Sequence, residues 1–338
     1  MVQNQVPSRP HRLIIDCDPG NGIRGSDIDD GIAIALALAA KDQLSLEMVT
    51  VVAGNTAVDD GYRVARTLLA ALGVAVPVHV GAARGLMESP EPWVSRRARL
   101  DVPAEVMAAW DGVPAPDDHP VPVGDDAAGA IVRAVAAAPG EITLVAVGPL
   151  TNVAHALGRR PELAHELAGI VVMGGVFHVP GFLQELNFAM DPEAADVVMG
   201  SGAKITLVPL DTTVRTRLLP EVLEGWARMN SPLTDYLTVT ARPWMRLTAY
   251  RDGRPGCYLH DPLAVAHFLD PKVGSYQEMV VGVELHGSLT RGRAVGWDPA
   301  RVHLASGLRL PERAPIDVMV DVDNDRLVQL LTDAFASW

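Results

Sequence analysis

The chain has 338 residues, 49% of them hydrophobic and only 5% aromatic, with a formal charge of −13. That length suits one large α/β domain or two modest ones, and the shortage of aromatics means a core of Ala, Val and Leu. The acidic balance argues against a nucleic-acid backbone or an anionic membrane as main partner, and no apolar run approaches the ~20 residues that span a bilayer. Two cysteines, Cys17 and Cys257, do not make a disulfide framework, so a reducing cytoplasm is the expected setting. The first residues, MVQNQVPSRPHR, are polar and do not read as a secretory signal.

The chain is organised around LIIDCDPGNGIRGSDIDDGIAIALALAA, Leu13 to Ala40. An apolar run closed by Pro-Gly predicts a buried strand, and alternation puts Asp16 and Asp18 on one face and Cys17 on the other. The following loop returns Asp29 and Asp30 to the carboxyl end of that strand, where open parallel sheets bind ligands. Carboxylates gathered there, Asp16, Asp18, Asp29 and Asp30, repel one another unless a cation sits among them, and a divalent metal with oxygen ligands answers that. The plainer reading is that Asp29 or Asp30 caps the helix that follows.

A second strand, about Leu46 to Ala53, ends at Gly54-Asn55, which brings an amide to the same rim or simply makes a turn. A helix over Asp59 to Leu72 and a short strand in PVHVGAA follow. Residues 84–123 lose the pattern apart from a weak helical stretch near Pro103 to Trp110, so they read as a lid or insertion; Arg96 and Arg97 there either meet an anionic ligand or are solvated. A helix from Asp125 to Ala138 precedes a strand ending over Val145 to Gly148, where a backbone carbonyl can serve as a hard-cation ligand. Thr151 is placed to cap the next helix. Leu167 to Met173 is the next strand. Glu185 and Asn187, two apart, face one side if the segment is extended, and a helix begins near Asp191.

Ile205 to Leu210 is a strand with Asp211 at its end, followed by helices near Pro220 to Met229 and Pro232 to Leu247. Trp244, Met245, Leu247 and Tyr250 line either a pocket or the core. His260 and Asp261 open a further helix, His267 reads as packed or surface, and the rest is β-rich (Val280 to Leu285, Ile316 to Val322) before a closing helix from Asp325. Without repeats or a linker, residues 1–338 read as one α/β domain with an open, mostly parallel, Rossmann-like sheet flanked by helices.

The ordered strings DCDPG…DD, VVAGN, VGPLTN, VVMGG, ELNFAMDPEAA and LHDPLAVA together resemble the inosine–uridine-preferring nucleoside hydrolase family, from Leu13 to about Asp298. The resemblance implies the nucleoside hydrolase fold, a bound Ca2+ ion and hydrolysis of the N-glycosidic bond of a ribonucleoside to free base and ribose, by direct attack of a water held by the metal. It implies that Asp18, Asp30, Asp261 and the Val147 carbonyl ligate the metal. Asp18 would also take the proton of the attacking water, and His260 would assist departure of the base. Asp29, Asn55, Glu185 and Asn187 would hold the ribose hydroxyls, with Asp16 orienting the loop. It further implies a homo-oligomer, dimer or tetramer, acting on a small-molecule ribonucleoside, with no nucleic acid or membrane as partner.

Three departures from the family pattern stand out. The family has one residue between the Gly of DPG and the Asp pair, whereas Asn21 to Ile28 intervene here; this loop is expected to bulge outward, with Asp27 available as an extra carboxylate. Phe182 replaces an Asn that contacts the 5′-hydroxyl. The His-Gly-rich loop of the first lid is missing from Leu86 to Leu100. Two rival readings remain: a nucleoside-binding protein without turnover, and a haloacid-dehalogenase-like phosphotransferase with Asp16 as nucleophile.

Overall fold

Leu13, Ile14 and Ile15 lie at the centre of the first strand, β1 (His11–Cys17), and all three are fully buried. The computed structural model describes residues 9–87, 102–305, 307 and 309–338. The other strands are β2 (Leu44–Val51), β3 (Val78–Val80), β4 (Ile142–Ala146), β5 (Gly169–Met173), β6 (Ile205–Val208), β7 (Gly274–Val283), β8 (Ala294–Trp297) and β9 (Ile316–Val322). Among the described residues they form one nine-stranded sheet in the order β3-β2-β1-β4-β5-β6-β9-β7-β8. Pairing is parallel from β3 to β9, and β7 runs antiparallel to both β9 and β8.

Strands β4, β5 and β6 are buried at every position, as a parallel sheet covered on both faces requires. Alternation divides β1 between two cores. Leu13, Ile15 and Cys17 join one cluster with Ile32 and Leu36 of the Asp29–Ala39 helix, while Ile14 joins the other with Leu144 and Val172.

From β1 the chain moves outward through β2 to β3, then returns to place β4 on the other side of β1. The crevice beyond the carboxyl ends of β1 and β4 is therefore the topological switch point, the place where such sheets bind ligands. The Val147 amide donates to the Asp16 carbonyl at 2.8 Å, so the ends of the two strands are held level there.

The structure decides between several local alternatives and corrects others. The Asp29–Ala39 helix has no side-chain cap, and its flanking residue is Ile28. Thr151 does not cap either, because its hydroxyl donates to the Asp191 carboxylate at 2.6 Å. Trp244, Met245 and Leu247 of the Pro232–Asp252 helix belong to the core, whereas Tyr250 is exposed. His267 meets the Tyr276 hydroxyl at 2.6 Å. β8 was not anticipated, since AVGW is too short and Gly-interrupted to show a period. Within the 84–123 segment Ala104–Met107 is helical, and Trp110 is buried in the core. Arg96 and Arg97 lie outside the described residues.

Candidate active site

Asp18 is the first residue past β1. Its backbone amide donates to the Asp30 carboxylate at 2.9 Å, and its own carboxylate accepts the Asn55 amide. Gly54 permits this approach, because a side chain there would collide with the Asp18 carboxylate. Asp29, in the first turn of the same helix as Asp30, accepts the Asp261 amide at 3.1 Å. Neither Asp30 nor Asp29 spends its carboxylate on its own helix, so that helix start is tied to β1 and to the distant His260–Leu269 helix.

Carboxylate oxygens of Asp29, Asp30 and Asp261 all lie within 4.8 Å of one another, and all three residues are buried. Burial pushes the Asp18 carboxyl up to about 7, with the charges of Asp29 and Glu185 adding to the rise against the Asn55 amide. Asp30 rises for the same reason, followed by the charges of Asp18 and Asp29. Asp261 rises through burial and then the charges of Asp29, Asp30 and Asp18. Acids this close and this dry retain protons or need a cation. The donor set is all oxygen, with no thiolate or imidazole in the cluster, which fits a hard ion such as Ca2+ rather than zinc.

On the β4 side, the Val147 carbonyl accepts the Asn187 side-chain amide at 2.7 Å, and Asn187 also donates to the Met173 carbonyl at 3.1 Å. A carbonyl has two lone pairs, so Val147 keeps one for a cation. Glu185 caps the short Leu186–Met190 helix by accepting the amides of Asn187 and Phe188, and it also accepts the Gly175 amide at 2.7 Å. The segment is thus helical from Leu186 rather than extended. Glu185 and Asn187 meet through that cap, not through strand alternation.

Asp16 stands behind the cluster. One of its oxygens accepts the Thr50 hydroxyl at 2.5 Å and the Asn152 amide at 2.8 Å, while the other is buried with no partner among the described residues. Asn152 also donates to the Val51 carbonyl and accepts the Ala82 amide, so Asp16 joins β1 to β2 and to the turn after β3. Burial holds its carboxyl up at about 7 against those two hydrogen bonds. A side chain with 0% exposure cannot serve as the exposed nucleophile that the phosphotransferase reading requires.

His260 is half-buried, with Nδ1 2.7 Å from the Thr213 hydroxyl and the Tyr258 ring 5.1 Å away, tilted by 35°. Burial lowers its pKa, opposed by the charge of Asp29, which favours the neutral ring. Phe182 sits in a turn closed by its own amide on the Val179 carbonyl and is 45% exposed. The 21–28 loop does not bulge outward. Asn21, Ser26 and Ile28 are buried, because the loop is packed against the start of the Asp29–Ala39 helix.

Thr50, Asn152 and Thr213 escaped sequence reading. Each acts through a partner more than 30 residues away, and nothing local distinguishes Thr50 and Thr213 from ordinary strand and helix residues. Asn152 had the best signal, as the last letter of VGPLTN.

A mostly parallel α/β sheet with buried carboxylates at its switch point defines a class of α/β protein with an acidic ligand crevice, and comparison with known proteins narrows it. The inosine-uridine preferring nucleoside hydrolase family matches residues 13–329. The pyrimidine-specific ribonucleoside hydrolase RihA of Klebsiella pneumoniae (strain 342) is 32% identical over 331 residues, covering 96% of this chain and 98% of that protein. The non-specific ribonucleoside hydrolase RihC of Salmonella enteritidis PT4 is 35% identical over 329 residues, covering 96% and 97%. Among solved structures, the plant nucleoside hydrolase PpNRh1 superposes with a TM-score of 0.80 at 28% identity, covering 97% of this chain and 99% of that one. The purine-preferring ribonucleoside hydrolase of Gardnerella vaginalis gives 0.78 at 28%, covering 96% and 98%. The chain belongs to the inosine-uridine preferring nucleoside hydrolase family and is a nucleoside N-ribosyl hydrolase.

Proposed function

We propose that this enzyme cleaves a small-molecule ribonucleoside to base and ribose with one Ca2+ ion at the Asp18–Asp30–Asp261 cluster, water attacking the anomeric carbon directly. The observation that carries this reading is the set of buried carboxylate oxygens of Asp29, Asp30 and Asp261 within 4.8 Å of one another beside Asp18. Asp18, Asp30, Asp261 and the Val147 carbonyl would hold the ion. When bound, it orients the ribose diol and the water and makes that water more acidic.

Asp18 accepts the proton of the attacking water, a role that suits an ionised carboxylate placed beside that water. Asp29, Asn55, Glu185 and Asn187 hold the ribose hydroxyls, and the carboxylates of Asp29 and Glu185 favour the positive charge that develops on the sugar as the C–N bond lengthens. His260, held by the Thr213 hydroxyl, assists departure of the base. The Phe182 position leaves the 5′ end without a donor or acceptor from that side chain. Cys17 and Cys257 are both free thiols, consistent with a cytoplasmic setting in nucleoside salvage, and among the described residues no helix is long and apolar enough to cross a membrane. The chain is proposed to act as a single-domain homo-oligomer, a dimer or tetramer.

A panel of ribonucleosides incubated with purified protein in calcium, with free ribose as readout, tests this. Release of ribose from at least one member is expected. Binding of nucleosides without any release of base would overturn it.

A further inference from the structure

The loop between Gly20 and Ile28 is built around one contact with Asn55. The Asp27 backbone amide donates to Asn55 Oδ1 at 3.1 Å, and the Asp27 carbonyl accepts from Asn55 Nδ2 at 3.1 Å. A carboxamide paired at once with an N–H and a C=O has one chemically allowed orientation, since flipping it would set donor against donor and acceptor against acceptor. After this pairing, Asn55 retains one Nδ2–H and one Oδ1 lone pair. The residue is half-buried, and one edge of its amide is covered by the loop. Its own backbone amide is bonded to the Asp18 carboxylate, which ties it to the centre of the site.

The loop is pinned well enough to hold that geometry. Ile23 donates to the Gly20 carbonyl at 2.9 Å and Ser26 to the Ile23 carbonyl at 3.2 Å, giving two successive turns. The buried Asn21 donates to the Thr240 hydroxyl at 3.1 Å and lies against Gly31, where any side chain would strike it. Arg24 pairs with Asp111 at 2.7 Å. At Gly20 a Cβ would run into the Asp27 carbonyl and lie 2.9 Å from Asn55 Nδ2, so the pairing depends on glycine there.

We infer that the Gly20–Ile28 loop is a positioning element for ribose recognition, locking the Asn55 carboxamide through the Asp27 backbone so that its remaining N–H and lone pair are preset for a sugar hydroxyl. The inference rests on the reading that Asn55 binds the ribose. A preset partner discriminates strongly against a substrate that lacks the matching hydroxyl, because its polar groups are then left unpaired.

The test is a double-mutant cycle on Gly20→Ala and Asn55→Ala in the full-length, calcium-supplemented protein. The readout is the ratio of kcat/KM for a ribonucleoside to that for its 2′-deoxy and 3′-deoxy analogues. Asn55→Ala is expected to reduce discrimination against the analogue lacking the hydroxyl that Asn55 holds. Gly20→Ala should reduce discrimination against the same analogue at least tenfold, and the double variant should go no further, as expected for two residues acting through one contact. Excision of residues 21–27, which leaves one residue before the Asp pair, gives a second variant with the same expectation. Full discrimination retained by a folded Gly20→Ala or excised protein, or losses that multiply independently in the cycle, would overturn the inference. If the wild type cleaves no nucleoside, the hydrolytic reading fails separately, and the same cycle is read by calorimetric binding of the three ligands. A wild type that neither cleaves nor binds them removes both.

Discussion

The Asp30 carboxylate accepts the backbone amide of Asp18 at 2.9 Å, which fixes the end of β1 against the first turn of the helix that follows it. Asp30 lies twelve positions after Asp18 in sequence, and that hydrogen bond is what turns two ends of a loop into one wall of the site. The side chains it brings together are acids that burial and mutual repulsion drive toward protonation. A cation is the natural counterweight.

Elemental analysis of protein purified without added metal should therefore find about one calcium per chain, as an all-oxygen cluster of hard donors predicts. Chelation should abolish turnover and added calcium restore it. Zinc, or active protein free of divalent ions, would contradict the assignment.

Asp18 and Asp16 separate by role. Asp18→Asn removes the proposed base, and turnover should fall by at least the ~10²–10⁴-fold typical of losing a general base. Asp16→Asn should cost much less in kcat, since Asp16 is sealed behind the site with Thr50 and Asn152. Steady-state kinetics on the two variants gives the order directly, and a larger loss for Asp16→Asn would refute these roles.

The pH dependence of stability follows from the raised carboxyls. In the folded chain Asp16 and Asp18 hold protons up to about 7, whereas an unfolded carboxyl releases its proton near ~3.9. Between those values the folded state binds more protons than the unfolded one, so stability in chelator should decline as pH rises from about 4 to about 7. Saturating calcium should flatten or reverse that slope, because it favours the ionised form of Asp18. Urea midpoints measured across the range, with chelator and with calcium, supply the check.

Asn152→Ala should destabilise the fold by about 1–3 kcal/mol, the cost of leaving buried polar partners unpaired. It removes a donor to Asp16 and to the Val51 carbonyl and an acceptor for the Ala82 amide. Denaturant unfolding at fixed pH measures this, and a change below about 0.5 kcal/mol would show that the network relaxes without it.

At the 5′ end, Phe182 offers no hydrogen bond to a hydroxyl, and an apolar surface discriminates weakly. The kcat/KM ratio for a nucleoside over its 5′-deoxy analogue is therefore expected near unity, with the 2′-deoxy analogue inert. A penalty of ~10⁴ or more for losing the 5′-hydroxyl would show a dedicated polar partner in place of the missing Asn.

The buried strands, the Asp-x-Asp at the end of β1 and the acidic start of the next helix were all legible in the linear chain, because burial period, turn chemistry and charge density are local properties. So was the family, since its motifs occur in order over most of the length. Local reasoning failed where a side chain had competing partners. Asp29, Asp30 and Thr151 have the chemistry of caps, yet their oxygens bond to Asp261, Asp18 and Asp191, partners that only chain reversal brings near. Asp16 and Asp18 are the same residue type two positions apart. The sheet encloses one with Thr50 and Asn152 and leaves the other at the switch point, so their difference is a matter of what packs around them. The same holds for the 21–28 loop: its composition predicts an outward turn, and its inward course comes from Gly31 and Thr240 making room and a partner for Asn21. Local sequence determined which residues could do the chemistry; long-range packing decided which carboxylates share one dry space, because desolvation and charge repulsion act through distance in space and not along the chain.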